Sequence, residues 1–138
     1  MTNISVIESK ISSIQKYLKI LESYKSYSQK QLENDLHLKG SVERYLYLLA
    51  QSVLDIAEAI ISFKDFRRPQ TYSEPFNILQ EENLISTDLT EKLISMAKFR
   101  NIIAHDYEDL DFGIIYDVLQ NHLQDIEDFL LVIKDKLH

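Results

Sequence analysis

Residues 42–63 read VERYLYLLAQSVLDIAEAIISF. Val42, Leu46, Leu49, Val53, Ile56 and Ile60 recur in steps of three and four, so one face of a helix carries them all. Tyr45, Leu48, Ser52 and Ala59 form a second, weakly polar side. A helix that is apolar over so much of its circumference belongs at the centre of a bundle or against another subunit. Gly40-Ser41 just before it reads as a break followed by an N-cap.

The flanking segments repeat the helical period. From about Ile4 to Asn34, Ile4, Ile7, Ile11, Ile14, Leu18 and Leu21 make one narrow stripe, a scaffold helix. Arg67-Arg68-Pro69 ends the second helix, and the chain is less regular to about Ser86. Within that stretch, Pro75 suits the first turn of a short helix capped at Ser73 and carrying Phe76, Ile78 and Leu79. Asp88, with Glu91 three residues on, resembles a capping box opening a fourth helix from about Leu89 to Ala104. Asp111 caps a fifth, with Ile115, Leu119, His122, Ile126, Phe129, Ile133 and Leu137 along one side. The expectation is an all-α fold of about five helices in a single domain over residues 1–138.

Composition agrees. Only two glycines and two prolines interrupt 138 residues, too few for a many-stranded β fold. Apolar residues at 45% suffice for a core. The absence of cysteine excludes disulfides and thiolate metal sites, and neither a metal nor a cofactor is expected. No uninterrupted apolar run approaches the ~18 residues of a membrane span. Met1-Thr2-Asn3-Ile4-Ser5 lacks the order of a signal peptide, so a cytoplasmic protein is expected. The formal charge of −7 counts against nucleic-acid binding, which draws on phosphate contacts. Any nucleic-acid chemistry must concentrate its cations locally.

The fourth helix breaks its own pattern. Leu89, Leu93, Met96 and Ile103 lie on one stripe, and Arg100, about three turns after Leu89, falls in the middle of it. Charge there is rare, because an unpaired buried guanidinium is costly. Arg100 should face a carboxylate, an interface or a cleft that a phosphate enters. His105 follows at or just after the helix end, one turn on, where the two side chains could reach a common point. Tyr107 comes next, in the acidic loop Asp106-Tyr107-Glu108-Asp109. Singly, each residue has an ordinary reading: Arg100 as an ion-pair partner of Asp55, His105 as a histidine at a helix end, Asn101 as a polar residue of the last turn, and Tyr107 as one of eight tyrosines. His37 reads as a surface residue, His122 as a core-edge one, and His138 is the terminus.

Together they spell Arg-x4-His-x-Tyr with Asn directly after the Arg. At roughly a twentieth usage each, four fixed types at fixed spacing arise by chance on the order of once in 10^5 start positions. The motif resembles the signature of the HEPN superfamily, specifically the HepT-like toxins encoded beside a minimal nucleotidyltransferase antitoxin. Val42-Glu43-Arg44-Tyr45-Leu46, Leu54-Asp55-Ile56-Ala57, the stretch from Pro69 to Leu79 and Met96-Ala97-Lys98-Phe99-Arg100-Asn101 are also similar to that family. The resemblance implies an up-and-down helical bundle that dimerises through the motif region. It further implies metal-independent RNA cleavage by Arg100 and His105 with Asn101 in support, and neutralisation by AMP transfer from the antitoxin onto Tyr107.

The chemistry suits the residues. An RNA 2′-OH can attack its neighbouring phosphorus, given a proton acceptor, a proton donor and cations on the phosphoryl oxygens. Histidine, with a reference pKa of about 6.5, serves both proton transfers. Arginine offers a permanent charge and a fork of donors. A two-fold dimer would supply two of each around one cleft. Two other functions fit the sequence: a non-catalytic HEPN-like subunit of a nucleotidyltransferase, favoured by the negative charge, and a structural helical adaptor.

Overall fold

The computed structural model describes residues 3–106 and 110–137. Its helices are α1 (Ile4–Glu22), α2 (Gln29–Asn34), α3 (Leu36–Phe63), α4 (Glu74–Glu81), α5 (Thr87–Asp106), α6 (Phe112–Asn121) and α7 (Leu123–Leu137). No strand occurs among the described residues. The all-α expectation holds, with seven helical segments among the described residues in place of about five.

Three boundaries differ from the sequence reading, each for a local reason. The first helix is two. After Leu21 the apolar stripe lapses into Ser23-Tyr24-Lys25-Ser26-Tyr27-Ser28, and Ser28 caps α2 through a reciprocal capping box with Gln31. The helix also does not break at Gly40-Ser41. The Asp35 carboxylate accepts the backbone N–H groups of His37 and Leu38, which starts α3 earlier, and Gly40 keeps an ordinary negative φ inside it. The last helix divides at His122 into α6 and α7. Asp111 does cap α6, accepting from the Gly113 N–H.

Capping of α5 differs too. Ser86 Oγ accepts the Leu89 N–H, while Asp88 lies in the first turn and pairs with Lys92 at 3.1 Å. Pro75 sits in the first turn of α4 as expected, although the Ser73 side chain makes no cap bond. Arg67 does more than end a helix. It binds Glu74 and Glu81, at 2.7 Å to the latter, and so ties the irregular stretch to α4.

α3 is the axis of the bundle and packs against α1, α2, α4, α5 and α6. Val42, Leu46, Leu49, Val53 and Ile56 are fully buried along it, as their period requires. Phe76 of α4 meets Phe129 of α7 edge-on at 6.3 Å between ring centroids, which closes the core at the far side. By length and composition α3 is apolar enough to cross a membrane, although no uninterrupted apolar run in the sequence suggests it. In the fold, 56% of that apolar window is buried inside the bundle, which is how a central core helix looks. α6 holds the turn between α1 and α2: Tyr116 donates its hydroxyl to the Tyr27 carbonyl at 3.0 Å, and Gln120 donates to that of Lys25 at 2.9 Å.

Candidate active site

Leu89, Leu93, Met96 and Ile103 are buried, as the stripe on α5 predicts, and Arg100 emerges half-buried among them. Its guanidinium meets α3. Nε donates to Gln51 Oε1 at 2.6 Å, Nη1 donates to Asn101 Oδ1 at 2.8 Å, and the group lies over the Tyr47 ring, 5.5 Å from its centroid. Gln51 Nε2 in turn donates to Asp55 Oδ1 at 2.9 Å. The Gln51 amide is therefore oriented at both ends. Turned over, it would set N–H against N–H and oxygen against carboxylate.

The ion pair with Asp55 that Arg100 read alone would suggest is replaced by a relay. The carboxylate holds the amide, and the amide holds the arginine. Among the described residues no carboxylate forms a salt bridge with Arg100. Two neutral amides fix the guanidinium without neutralising it, and the rest of its donor fork is left for an anion.

Asn101 accepts from Arg100, whereas His105 does not face it. α5 continues through Asp106, so His105 is an exposed residue of its last turn. Five residues of α-helix separate it from Arg100 by roughly 140° around the axis and about 7.5 Å along it. Within one chain the two side chains do not share a face. Nothing in Ile102-Ile103-Ala104 stops a helix, which is why the predicted end at Ala104 is passed. Tyr107 lies outside the described residues.

The sequence reading missed Tyr47 and Gln51. Gln51 left a trace: with Asp55 it forms a polar i, i+4 pair on a helix otherwise apolar around much of its circumference. Beside these residues an open groove of about 470 Å³ separates the early turns of α3 from the end of α5, walled by Tyr47, Ile103 and Ala104. Among the described residues no group of acidic and histidine side chains is arranged to hold a metal ion.

Residues 14–133 match the family model of the ribonuclease HepT-like proteins. The chain belongs to the HepT-like ribonuclease family. It is 35% identical to the mRNA nuclease HepT of Shewanella oneidensis over 130 residues, spanning 94% of this chain and 96% of that one. It is 26% identical to the tRNA nuclease HepT of Aphanizomenon flos-aquae, across 90% of this chain and 86% of that one. The fold superposes on the tri-AMPylated Shewanella oneidensis HEPN toxin, solved in complex with MNT antitoxin, with a TM-score of 0.86 and 33% identity over 98% of this chain and 99% of that one. With the HepT-like family comes the class of enzyme, an endoribonuclease, and the HEPN resemblance read from the motif stands.

In this HepT-like chain Gln51, by its bonds to Arg100 and Asp55, is expected to act as a positioning residue for Arg100. Gln51→Leu removes the acceptor from Arg100 Nε and frees the guanidinium to swing. A hydrogen bond to a charged group contributes about 1.5–3 kcal/mol. The variant should lose about that much in stability, because the half-buried Nε is left without its partner, and at a temperature where it stays folded its RNA cleavage should fall in kcat/KM. An unchanged rate would show that Arg100 needs no such anchor.

Proposed function

We propose that this chain is a toxin-type ribonuclease that cuts cellular RNA without a metal, using Arg100 and His105 of two subunits at a shared cleft. Arg100 carries the reading: a guanidinium pinned by amides, unneutralised by any carboxylate among the described residues, beside an open groove. This local cation also answers the net charge of −7, since one fixed guanidinium per subunit serves phosphate binding where the whole surface does not. Arg100 and His105 lie on different sides of α5, so a single chain does not pair them. A two-fold partner laid along this end of α5 would set the His105 of one subunit across from the Arg100 of the other and give the cleft both an acid and a base. Asn101 supports Arg100.

In the same proposal a nucleotidyltransferase antitoxin restrains the enzyme by moving AMP from ATP onto the Tyr107 hydroxyl, with release of pyrophosphate. The AMPylated state and the MNT partner of the Shewanella oneidensis toxin support this. The purified chain, freed of any modification, should cleave single-stranded RNA in the presence of a chelator. Its specific activity should fall on dilution, in step with dissociation of the dimer measured by sedimentation. Activity that needs a divalent ion, or that resides in a monomer, would refute the two-subunit, metal-free mechanism.

A further inference from the structure

The groove beside Arg100 has a chemistry that phosphate binding alone does not use. Its walls are Gly40, Glu43, Arg44 and Tyr47 of α3 and Ile103 and Ala104 of α5. Two guanidiniums approach the Tyr47 ring, with Arg100 Cζ 5.5 Å and Arg44 Cζ 5.9 Å from its centroid. Arg44 is exposed and forms no salt bridge among the described residues. Glu43, next to it, is half-buried in the wall, and burial raises its carboxyl above the usual range against the opposing pull of Lys39.

A carboxylate is an odd neighbour for a phosphate and a natural one for the donor edge of a base. Resting on the ribonuclease reading of Arg100 and His105, we propose that this groove seats the nucleoside adjoining the scissile phosphate, with Glu43 accepting from its Watson–Crick edge and Arg44 on the next phosphate along the strand. The base lies among Tyr47, Ile103 and Ala104, the apolar part of the groove wall. Guanine is the favoured base, because its N1–H and N2–H donors stand side by side and match the two oxygens of one carboxylate. Adenine and cytosine each offer one amino group there, and uracil one imide N–H.

The test uses short oligouridylates with a central G, A, C or U. Binding is measured to the full-length His105→Ala chain, and cleavage is followed with the otherwise unaltered enzyme. Guanine should be preferred in both assays by about tenfold, the discrimination of one good bidentate contact. Glu43→Gln, which keeps the shape and turns one acceptor into a donor, should erase that preference. Arg44→Ala should weaken all four oligonucleotides alike and flatten the salt dependence of binding. Cleavage without base preference, or a preference untouched by Glu43→Gln, overturns the assignment and leaves the ribonuclease reading standing. A Glu43-dependent preference in binding with no cleavage by the unaltered chain keeps the groove and removes the catalytic reading. Dissociation of the dimer by either substitution, with base preference intact, would make the groove a protein interface and refute the proposal.

Discussion

Alanine at His105 is expected to lower RNA cleavage by about 10²–10⁴-fold, the contribution of a positioned acid or base. Alanine at Arg100 is expected to lower it by about 10²–10³-fold, as for removal of one donor to a developing oxyanion. The two losses should not multiply in the double variant, because both act on the same transition state. Their structural costs differ. His105 is exposed, so its truncation should leave the unfolding midpoint in place. Arg100→Ala uncovers the Gln51 amide oxygen and one wall of Tyr47, at a cost of about 1–3 kcal/mol. Arg100→Lys separates the effects: it keeps the charge and loses the fork, so it should stay folded and remain strongly impaired. Circular dichroism tests the fold, sedimentation tests the proposed dimer, and a single-turnover assay on labelled RNA reads the rate. A His105→Ala chain that cleaves at the unaltered rate would remove the histidine from the mechanism.

Elements with a regular apolar period were legible in the sequence, and their ends were not. Val42, Leu46, Leu49, Val53 and Ile56 identify α3 because burial on one face demands that spacing. The start of α3 was misplaced because a glycine and a serine resemble a break, whereas the deciding groups are the Asp35 carboxylate and two backbone N–H groups upstream. His122 joined the last apolar stripe only on a helical wheel. In the fold it closes α6, and its ring lies between Asp117 at 3.1 Å and Asp125 at 3.3 Å. A hydrogen bond from the Asn121 amide, and after it His122, hold the Asp117 carboxyl below its usual range.

The site was legible to a similar depth. An arginine in an apolar stripe announces itself, because its burial requires an explanation. What holds it comes from another helix, 49 residues away in sequence, and a local pattern does not contain that distance. Asp55 was a reasonable partner for Arg100 read alone, being one of three acidic residues on the facing helix. Gln51 intervenes because an amide can accept from the arginine and donate to the aspartate at once. A direct ion pair would have satisfied Arg100 and closed it to phosphate.

Tyr107→Phe should separate restraint from catalysis. The residue lies outside the described part of the structure, and its expected role comes from its place two residues after His105 and from the AMPylated state of the Shewanella oneidensis toxin. Transfer of AMP to its hydroxyl would add a bulky anion next to the His105 end of α5. It would oppose the entry of an RNA phosphate by both occlusion and like charge. In the presence of ATP, Mg²⁺ and the cognate nucleotidyltransferase, the unaltered chain should gain mass in AMP increments and lose cleavage in proportion. The phenylalanine variant lacks only the oxygen that would accept AMP, so it should gain no mass and should escape silencing by modification. If the hydroxyl also binds the substrate phosphate, the variant's own cleavage should weaken by about 0.5–1.5 kcal/mol, an ordinary hydrogen bond. Silencing by modification and weakening by substitution are thus separable on one variant, by intact-protein mass and by rate. AMP found on Tyr116, whose hydroxyl is already bound to the Tyr27 carbonyl, or a fully active chain carrying AMP on Tyr107, would overturn the regulatory role.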